Sequence, residues 1–590
     1  MEKQVISKVR GNKVLYLLYG FWLFVFIIII RLFYLQIDQK GFFLNLGERN
    51  FIRTEIIPPL RGDVFDCHAV LLAANRPVFD LYWHGKGDVK WIQDTPVLAT
   101  LFSILGFDSS YAQVATKDKL SDGASDYKTL ITYAEKYSRR VLIKQDVTFS
   151  AICRLNEQCA YNGGRLIVAN RFERFYPHRT LASHVLGYLS KSDQRGCSGI
   201  EQCFEPALQG TMGYNLSVMN ATGRILQQTV GREATAGADV TLTLDSELQR
   251  IAESLFPPDS AGSFILMDPT TGALRVLSSM PAFDPNLFLK PITTDDWGRL
   301  MVNNPLMNRA TCATYPPASI FKLVTFTAAL EDGLMTQDTE IVCNGSVSFC
   351  GRPYHCKCRT GHGKLTPKQA LACSCNIPCY NIGKKLNIDR LSLYAQRFGL
   401  GQKTNFVLPE KRGLLPSTAW KKRALGERWW RGETLSVSIG QGYLLTTPIQ
   451  IARMLGGVCT GNLVKPRLLE HELQEKTKLE ISPSTLQFLR GSLKEAVASG
   501  TSKRLAWLKD FDLSAKTGTA QTCSLSQEQR YKHLFEHAWF AGYFSYKGST
   551  PLVMVLFIEN VGSSNVAVQM AATFLKAYKK LYEQKQSSIL

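Results

Sequence analysis

Apolar and polar positions divide the chain into one long apolar segment near its start and a mixed remainder. Residues 14–30 are 17 consecutive residues without a charge, and after Arg31 the apolar run continues to Ile37. An arginine can keep its stem in an apolar layer and its charged head outside it, so the run reaches the roughly 20 residues that span a bilayer. The pattern predicts a transmembrane helix over residues 14–37, with a buried core helix as the alternative.

The tail before this segment is rich in positive charge. Against the single acid Glu2 it carries Lys3, Lys8, Arg10 and Lys13. Positive residues flanking a span stay on the cytoplasmic side, so we expect a cytoplasmic tail at 1–13 and export of the chain after about residue 37. A second comparable apolar run does not follow, which predicts a single pass.

The remainder shows two kinds of patterning. Residues 38–245 mix strand and helix periodicities, whereas residues 246–590 open with an amphipathic helix and two strand-like runs and close with three more strands and a helix. Strands joined by short links pair antiparallel. We predict an α+β protein: a mixed α/β domain at 38–245, elongated in shape, and a domain at 246–590 with an antiparallel five-stranded sheet flanked by helices.

The net charge of the chain limits the kinds of binding partner that it suits. Lys and Arg number 69 against 49 Asp and Glu, a net charge of +20. Such an excess suits nucleic acid or an anionic membrane surface, and the predicted export excludes nucleic acid. We expect the excess to serve anionic lipid and an anionic substrate, with a solvated basic face as the alternative.

Ser319 and Lys322 open the first chemical motif. They begin an apolar run that ends before Gly333, which predicts a buried helix with both residues on one face. A desolvated lysine can lose its proton and act as the base for a serine nucleophile. The amino end of a helix also favours developing negative charge.

Two further motifs follow in order. Ser374-Cys375-Asn376 lies in the helical middle of the second domain, and Lys516-Thr517-Gly518-Thr519 lies on a predicted strand. Each short motif is weak alone. Together S-x-x-K, S-x-N and K-T-G form the set of serine β-lactamases and penicillin-binding proteins.

With these motifs the chain resembles the class B penicillin-binding proteins, membrane-anchored D,D-transpeptidases of peptidoglycan synthesis. The non-catalytic pedestal, or dimerisation-like domain, of that class is similar to residues 61–66, 174–188 and 199–210, and the start of its transpeptidase domain to 272–286. The elongation enzyme, penicillin-binding protein 2, is the most similar member, through residues 429–452 and 537–544. Cys67-His68-Ala69 departs from the usual turn of the class.

The resemblance implies a role for each motif residue. Ser319 would attack the D-Ala-D-Ala carbonyl of a donor stem peptide, and Lys322 would take its proton. Ser374 would relay a proton to the leaving D-Ala, and Asn376 would hold the substrate amide and orient Lys322.

The third motif would bind the end of the donor. Lys516 and Thr517 would set a positive field for the terminal carboxylate, and Thr519 would donate a hydrogen bond to it from its place after Gly518. The backbone N–H groups of Ser319 and Thr519 would form the oxyanion hole. An acceptor amine would then resolve the acyl-enzyme into a crosslink, with no cofactor for catalysis.

The resemblance also implies a location and partners. We expect the bacterial inner membrane, a periplasmic catalytic domain, lipid-linked or nascent peptidoglycan as substrate, β-lactams as inhibitors, a RodA-like SEDS glycosyltransferase and other elongation-complex proteins. The alternatives are a division-specific transpeptidase, a carboxypeptidase or β-lactamase, and a non-catalytic penicillin-binding scaffold or sensor.

Seven cysteines and His362 crowd into residues 343–379. Cysteine and histidine together are ligands of tetrahedral zinc, whereas disulfides are the default for exported cysteines. Elongation enzymes can carry a zinc beside the active site, and the resemblance implies Cys343, Cys356, His362 and Cys375 as its ligands. The rival ligands are Cys350, Cys358, Cys373 and Cys379, and disulfides remain the alternative to a structural zinc.

Overall fold

The computed structural model describes most of the chain, in two compact units. The described residues are 2–90, 97–106, 127–158, 164–219, 225–521 and 535–587. One unit comprises residues 1–60 and 209–237, and the other comprises residues 61–208 and 238–590. The predicted domain boundary at residue 245 lies inside the second unit, and it stays a prediction.

The first unit starts with the apolar helix. A helix at Glu2–Phe33 is continued by a π-helical turn at Tyr34–Asp38 and followed by a helix at Lys40–Phe51. Within it, Leu15–Asp38 is long and apolar enough to cross a bilayer, and its side chains are not buried within the protein. Exposed apolar side chains on every face are costly in water, so this helix fits a single-pass membrane anchor.

A small antiparallel sheet completes the first unit. Its central strand, Gly213–Met219, pairs with Ile52–Ile57 on one side and Ile225–Arg232 on the other.

The second unit begins with a mixed region around a long strand, Leu71–His84. That strand pairs with Val64–Phe65, Arg140–Lys144 and Leu166–Phe175. The helices of this region are Val97–Leu105, Tyr127–Lys136, Phe149–Gln158, Ser183–Leu186, Gly199–Cys203 and Glu205–Leu208. The short strand Val240–Thr241 pairs in parallel with Val64–Phe65, and beyond it Thr243 N–H donates to Leu468 O.

A five-stranded antiparallel sheet forms the centre of the carboxyl-terminal region, as predicted. In spatial order its strands are Leu274–Met280, Gly262–Met267, Leu552–Ile558, His537–Tyr546 and Phe511–Ala520. Alternate residues of one strand enter two different cores: Ile265 packs into one and Phe264 into the other. Because side chains alternate across a sheet, apolar cores lie on both faces.

Helices cover these two faces. The helices Ser246–Ser254 and Ser564–Ser587 supply Leu248 and Phe574 to one core. The other core takes the helices Lys322–Glu331 and Pro448–Thr460. The remaining helices are Thr294–Met301, Pro367–Ala372, Ile377–Lys385, Ile388–Arg397, Thr418–Leu425, Arg431–Ser438 and Pro483–Ala498, with 3₁₀ turns at Pro285–Leu289, Ala318–Phe321 and Lys503–Leu505.

The described residues of this region also contain three short antiparallel strand pairs. One pair joins Ile341–Cys343 to Gly363–Leu365, and the hairpin of Ser346–Phe349 with Arg352–His355 lies between those two strands in sequence. The third joins Asn462–Val464 to Lys476–Lys478.

Candidate active site

Ser319 lies on a 3₁₀ turn, Ala318–Phe321, that runs directly into the helix Lys322–Glu331. The sequence predicts that the helix itself begins at Ser319, so the structure differs by one turn. The turn is set by its preceding residue, because Ala318 adopts a left-handed φ of 50° and its N–H donates to Gly440 O at 2.9 Å. Ser319 is half-buried in the wall of a cleft.

Lys322 is fully buried and reaches the second motif. Its Nζ donates to Ser374 O at 2.7 Å, to Ser374 Oγ at 3.2 Å and to Asn376 Oδ1 at 2.6 Å. Burial lowers the pKa of Lys322 because the charged ammonium loses its hydration. The structure thus joins the first two motifs through an amine suited to accept a proton.

Ser374 and Asn376 lie in the short connection between two helices. The connection leaves Pro367–Ala372, passes through Ser374 at a left-handed φ of 61° and enters Ile377–Lys385. Asn376 Nδ2 donates to His355 O at 3.2 Å. Since this contact uses the amide nitrogen, the amide oxygen is left to accept from Lys322.

Lys516, Thr517, Gly518 and Thr519 occupy the edge strand Phe511–Ala520, as predicted. Lys516 is fully buried, and its Nζ donates to Thr517 O at 3.2 Å. Burial, followed by the like charge of Lys322, holds the pKa of Lys516 well below its ordinary value. Two lysines that repel each other in a buried place favour at least one neutral amine.

Gly518 permits close packing against the nucleophile turn. A Cβ there would lie 3.4 Å from both Ala318 Cβ and Pro317 O. Behind it, Trp539 Nε1 donates to Pro316 O at 3.0 Å. The strand and the turn are therefore held together on both sides of Gly518.

The motifs meet in one cleft of about 570 Å³. Its wall includes Ser319, Ser374, Asn376, Thr517 and Thr519. Lys322 and Lys516 lie buried beneath it.

The sequence reasoning missed one wall of this cleft, formed by Arg352, Tyr354 and Tyr380. Tyr354 and Tyr380 meet edge to face, with ring centres 5.4 Å apart. Residues of a short hairpin and of a separate helix follow no fixed spacing, so no sequence pattern pointed to them.

The four implied metal ligands form a tight group beside Asn376. The three Sγ atoms of Cys343, Cys356 and Cys375 and a ring nitrogen of His362 all lie within 4.8 Å of one another. His362 Nδ1 is 3.5 Å from Cys343 Sγ and 3.5 Å from Cys356 Sγ. Cys356 Sγ is 3.8 Å from Cys375 Sγ, far beyond the roughly 2.05 Å of a disulfide.

The rival cysteines lie outside this group. Cys358 Sγ donates to Gly361 O at 3.1 Å, and Cys373 Sγ donates to Ala370 O at 3.7 Å. Cys350 is exposed at the tip of the hairpin, and Cys379 is buried. All 13 cysteines in the described part of the chain are free thiols. The contact from Cys375 lowers the pKa of Cys356, so the pair favours one thiolate.

Comparison with known proteins identifies the family. The sequence model of the penicillin binding protein transpeptidase domain matches residues 262–577. The chain belongs to the penicillin-binding protein transpeptidases. The model of the penicillin-binding protein dimerisation domain matches residues 56–242. The predicted resemblance, the two-domain fold class and the serine-type transpeptidase class are confirmed.

Relatives extend this likeness over nearly the whole chain. Peptidoglycan D,D-transpeptidase MrdA of Salmonella typhimurium is 30% identical over 589 residues, which cover 92% of this chain and 91% of the relative. The protein of the same name from Acinetobacter baumannii is also 30% identical, over 92% of this chain and 83% of the relative.

Two solved structures share the fold. The penicillin-binding protein PBP2 in a complex with MreC from Helicobacter pylori has a TM-score of 0.75 and 26% identity, covering 91% of this chain and 99% of that one. A chain from a structure on the coordination of polymerization and crosslinking by a peptidoglycan synthase complex has a TM-score of 0.72 and 31% identity, covering 96% and 98%.

Proposed function

We propose that this chain crosslinks peptidoglycan through an acyl-enzyme on Ser319 during cell-wall elongation. The observation that carries the proposal is the buried amine of Lys322, bonded to Ser374 and Asn376 beneath the cleft that exposes Ser319. A serine, a lysine with a lowered pKa and a second hydroxyl in one cleft are the parts that acyl transfer needs. The names of the MrdA relatives and the PBP2 structures support the elongation role.

Acylation would begin at the carbonyl of the penultimate D-Ala. Ser319 Oγ forms a bond to that carbon while its proton passes to neutral Lys322 Nζ. The backbone N–H groups of Ser319 and Thr519 receive the oxyanion. The C–N bond then breaks, and the proton travels from Lys322 through Ser374 Oγ, 3.2 Å away, to the leaving D-Ala nitrogen. A charge on Lys516 would favour the neutral form of Lys322, because the two buried amines repel each other when both are charged.

Deacylation reverses the proton path. An acceptor amine attacks the ester carbonyl, its proton passes to Lys322, and Ser319 Oγ regains a proton as it leaves. The donor carboxylate would lie against Thr517 and Thr519, where the edge strand leaves backbone groups facing the cleft. β-Lactams would acylate Ser319 in the same way. The reaction needs no catalytic cofactor.

We also propose a structural zinc held by Cys343, Cys356, His362 and Cys375. Tetrahedral Zn–S and Zn–N bonds of about 2.3 and 2.05 Å place two sulfurs about 3.8 Å apart and a sulfur and a nitrogen about 3.6 Å apart. The observed 3.8 and 3.5 Å agree with those separations. Four protein ligands leave no open position, so the metal would tie the 343–362 segment to the Ser374 connection.

The same proposal places the chain in the inner membrane, with the tail 1–13 in the cytoplasm and the catalytic region in the periplasm. The apolar helix and the positive residues before it support this orientation. We propose a RodA-like glycosyltransferase and elongation-complex proteins as partners. The complexes named for the similar structures support that assignment.

A crosslinking assay tests the proposed function. The full-length protein in detergent or vesicles is mixed with nascent peptidoglycan, and the products are digested and weighed by mass spectrometry. We expect crosslinked dimers that disappear in Ser319→Ala and in the presence of benzylpenicillin. Release of D-Ala without crosslinks would instead show a carboxypeptidase, rapid turnover of penicillin would show a β-lactamase, and penicillin labelling without either product would show a sensor or scaffold.

A further inference from the structure

One wall of the catalytic cleft carries unbalanced positive charge. Arg352, Lys357 and Arg359 line the cleft and are exposed. Glu536 is the one acidic side chain among the described residues that line it. None of the three cations has a carboxylate within ion-pair distance in the described part of the chain. We call these three residues the basic rim.

The basic rim is fixed relative to the catalytic residues. Arg352 belongs to the strand Arg352–His355, and His355 O accepts hydrogen bonds from Asn376 Nδ2 and Tyr380 OH, each at 3.2 Å. Tyr354 OH donates to Gly432 O at 3.3 Å, which links the same strand to the helix Arg431–Ser438. The strand that carries Arg352 is thus bonded directly to Asn376 of the second motif, and Lys357 and Arg359 follow shortly after that strand.

All three residues of the rim line the cleft. Residues two apart on a strand share one face, and the guanidinium of Arg352 is 5.8 Å from the ring centre of Tyr354, which lines the cleft. Cys356, next to Lys357, is held in the group formed with His362 and Cys375. Burial and the charges of Lys322 and Lys357 lower the pKa of Lys516, so Lys357, one residue of the rim, lies near enough to influence the buried lysine.

Unpaired cations on a fixed wall are placed for an anionic ligand rather than for stability. An exposed arginine or lysine adds little to stability even when it forms an ion pair, and like charges gathered at a cleft repel each other. The terminal carboxylate of the donor has its own place at the third motif, on the Thr517–Thr519 strand. The rim therefore has room for a second carboxylate, farther along the donor.

We propose that Arg352, Lys357 and Arg359 form a subsite for a free carboxylate on the acyl-donor stem peptide, upstream of its D-Ala-D-Ala end. The subsite selects donors that carry this carboxylate over donors in which it is amidated. This inference rests on the proposed transpeptidase function and names a feature of its substrate. Guanidinium groups bind carboxylates through paired hydrogen bonds, so the selection comes from contact as well as from charge.

The test compares two synthetic peptide donors that end in D-Ala-D-Ala. They are identical except that the carboxylate of the residue before the terminal pair is free in one and a primary amide in the other. D-Ala release by the full-length enzyme gives kcat/KM for each. We expect wild type to prefer the free carboxylate by about tenfold, and the triple variant Arg352→Gln/Lys357→Gln/Arg359→Gln to show a ratio near one.

A matched variant separates direct contact with the carboxylate from the effect of the protein's overall positive charge. Lys403, Lys422 and Arg423 are exposed and do not line the cleft, so Lys403→Gln/Lys422→Gln/Arg423→Gln removes the same charge elsewhere. It should keep the wild-type preference, whereas Arg352→Lys alone should lose part of it, because a lysine cannot form the paired hydrogen bonds of a guanidinium group. A change in the pKa of Lys516 would alter the rates for both donors alike, so the ratio of the two kcat/KM values isolates the contact with the carboxylate.

Each other outcome overturns the subsite. An unchanged preference in the rim variant removes its role, and an equal loss in both triple variants assigns the preference to the overall field. An effect seen only when the acceptor carries the carboxylate would move the subsite to the acceptor. If wild type neither releases D-Ala nor labels with penicillin, the proposed function fails instead, so the two failures are distinct.

Discussion

Gly440 faces Ala318, the residue before the proposed nucleophile, with no space between their backbones. Gly440 O accepts the N–H of Ala318 at 2.9 Å, and a Cβ added to Gly440 would overlap Ala318 O. Gly440 also has a φ of 79°, in the region that favours glycine. The position of Ser319 therefore depends on a glycine 121 residues away in the sequence.

Gly440→Ala should displace the nucleophile turn. We expect acylation by benzylpenicillin to slow by about tenfold or more, since small shifts of a reacting group are costly. Gly548→Ala is the matched control, because Gly548 has a φ of 76° but no atom within 4 Å of the added Cβ. Both changes carry a backbone strain of about 1–2 kcal/mol. Equal acylation rates in the two variants would contradict the proposed role of Gly440.

Lys322→Ala should slow acylation by roughly 10²–10⁴-fold or more, because the serine loses its base. In wild type the acylation rate should rise with pH through the pKa of Lys322, which burial lowers, and level off above it. The sign follows because only the neutral amine accepts a proton. Stopped-flow labelling with a fluorescent penicillin over a pH series measures both effects.

Two controls test whether Lys322 is the base. Lys322→Met keeps the buried volume, and its thermal unfolding checks that the variant is folded. If the acylation rate of Lys322→Met still rises with pH, a different group is the base. Lys516 would be the first candidate, because burial also lowers its pKa.

The sequence predicted which motif residues meet in the cleft better than it predicted the rest of the cleft wall, for a physical reason. Ser319 and Lys322 are neighbours on one turn, and Lys516–Thr519 is one continuous strand, so short spacing was enough. The cleft wall from Arg352 to Tyr380 joins a hairpin to a helix, and only tertiary packing brings them together. A bond between distant segments also follows the short strand Val240–Thr241, because Thr243 N–H donates to Leu468 O.

Membrane topology gives a separate prediction. A periplasm-dependent reporter fused near residue 590 should be active, and the same reporter fused before residue 13 should be inactive, because the tail carries positive charge and Leu15–Asp38 is the span found in the described part of the chain. Replacing Lys3, Lys8, Arg10 and Lys13 with Asn should weaken this orientation. Activity of the cytoplasmic-type reporter at residue 590 would overturn the export and the exclusion of nucleic acid.

The last prediction concerns the proposed zinc. Protein purified without added metal should contain about one zinc per chain by elemental analysis, and thiol titration in denaturant with a chelator should find Cys343, Cys356 and Cys375 free. His362→Ala should lose the metal, lower Tm by at least about 4 °C and slow acylation, because the metal would position Asn376 from behind. Cys350→Ser, at an exposed thiol outside the group, should change none of these. Protein without zinc in which Cys343, Cys356 and Cys375 are held in disulfides would sink the site. Zinc lost from Cys358→Ser but kept in His362→Ala would show that the ligand set is wrong.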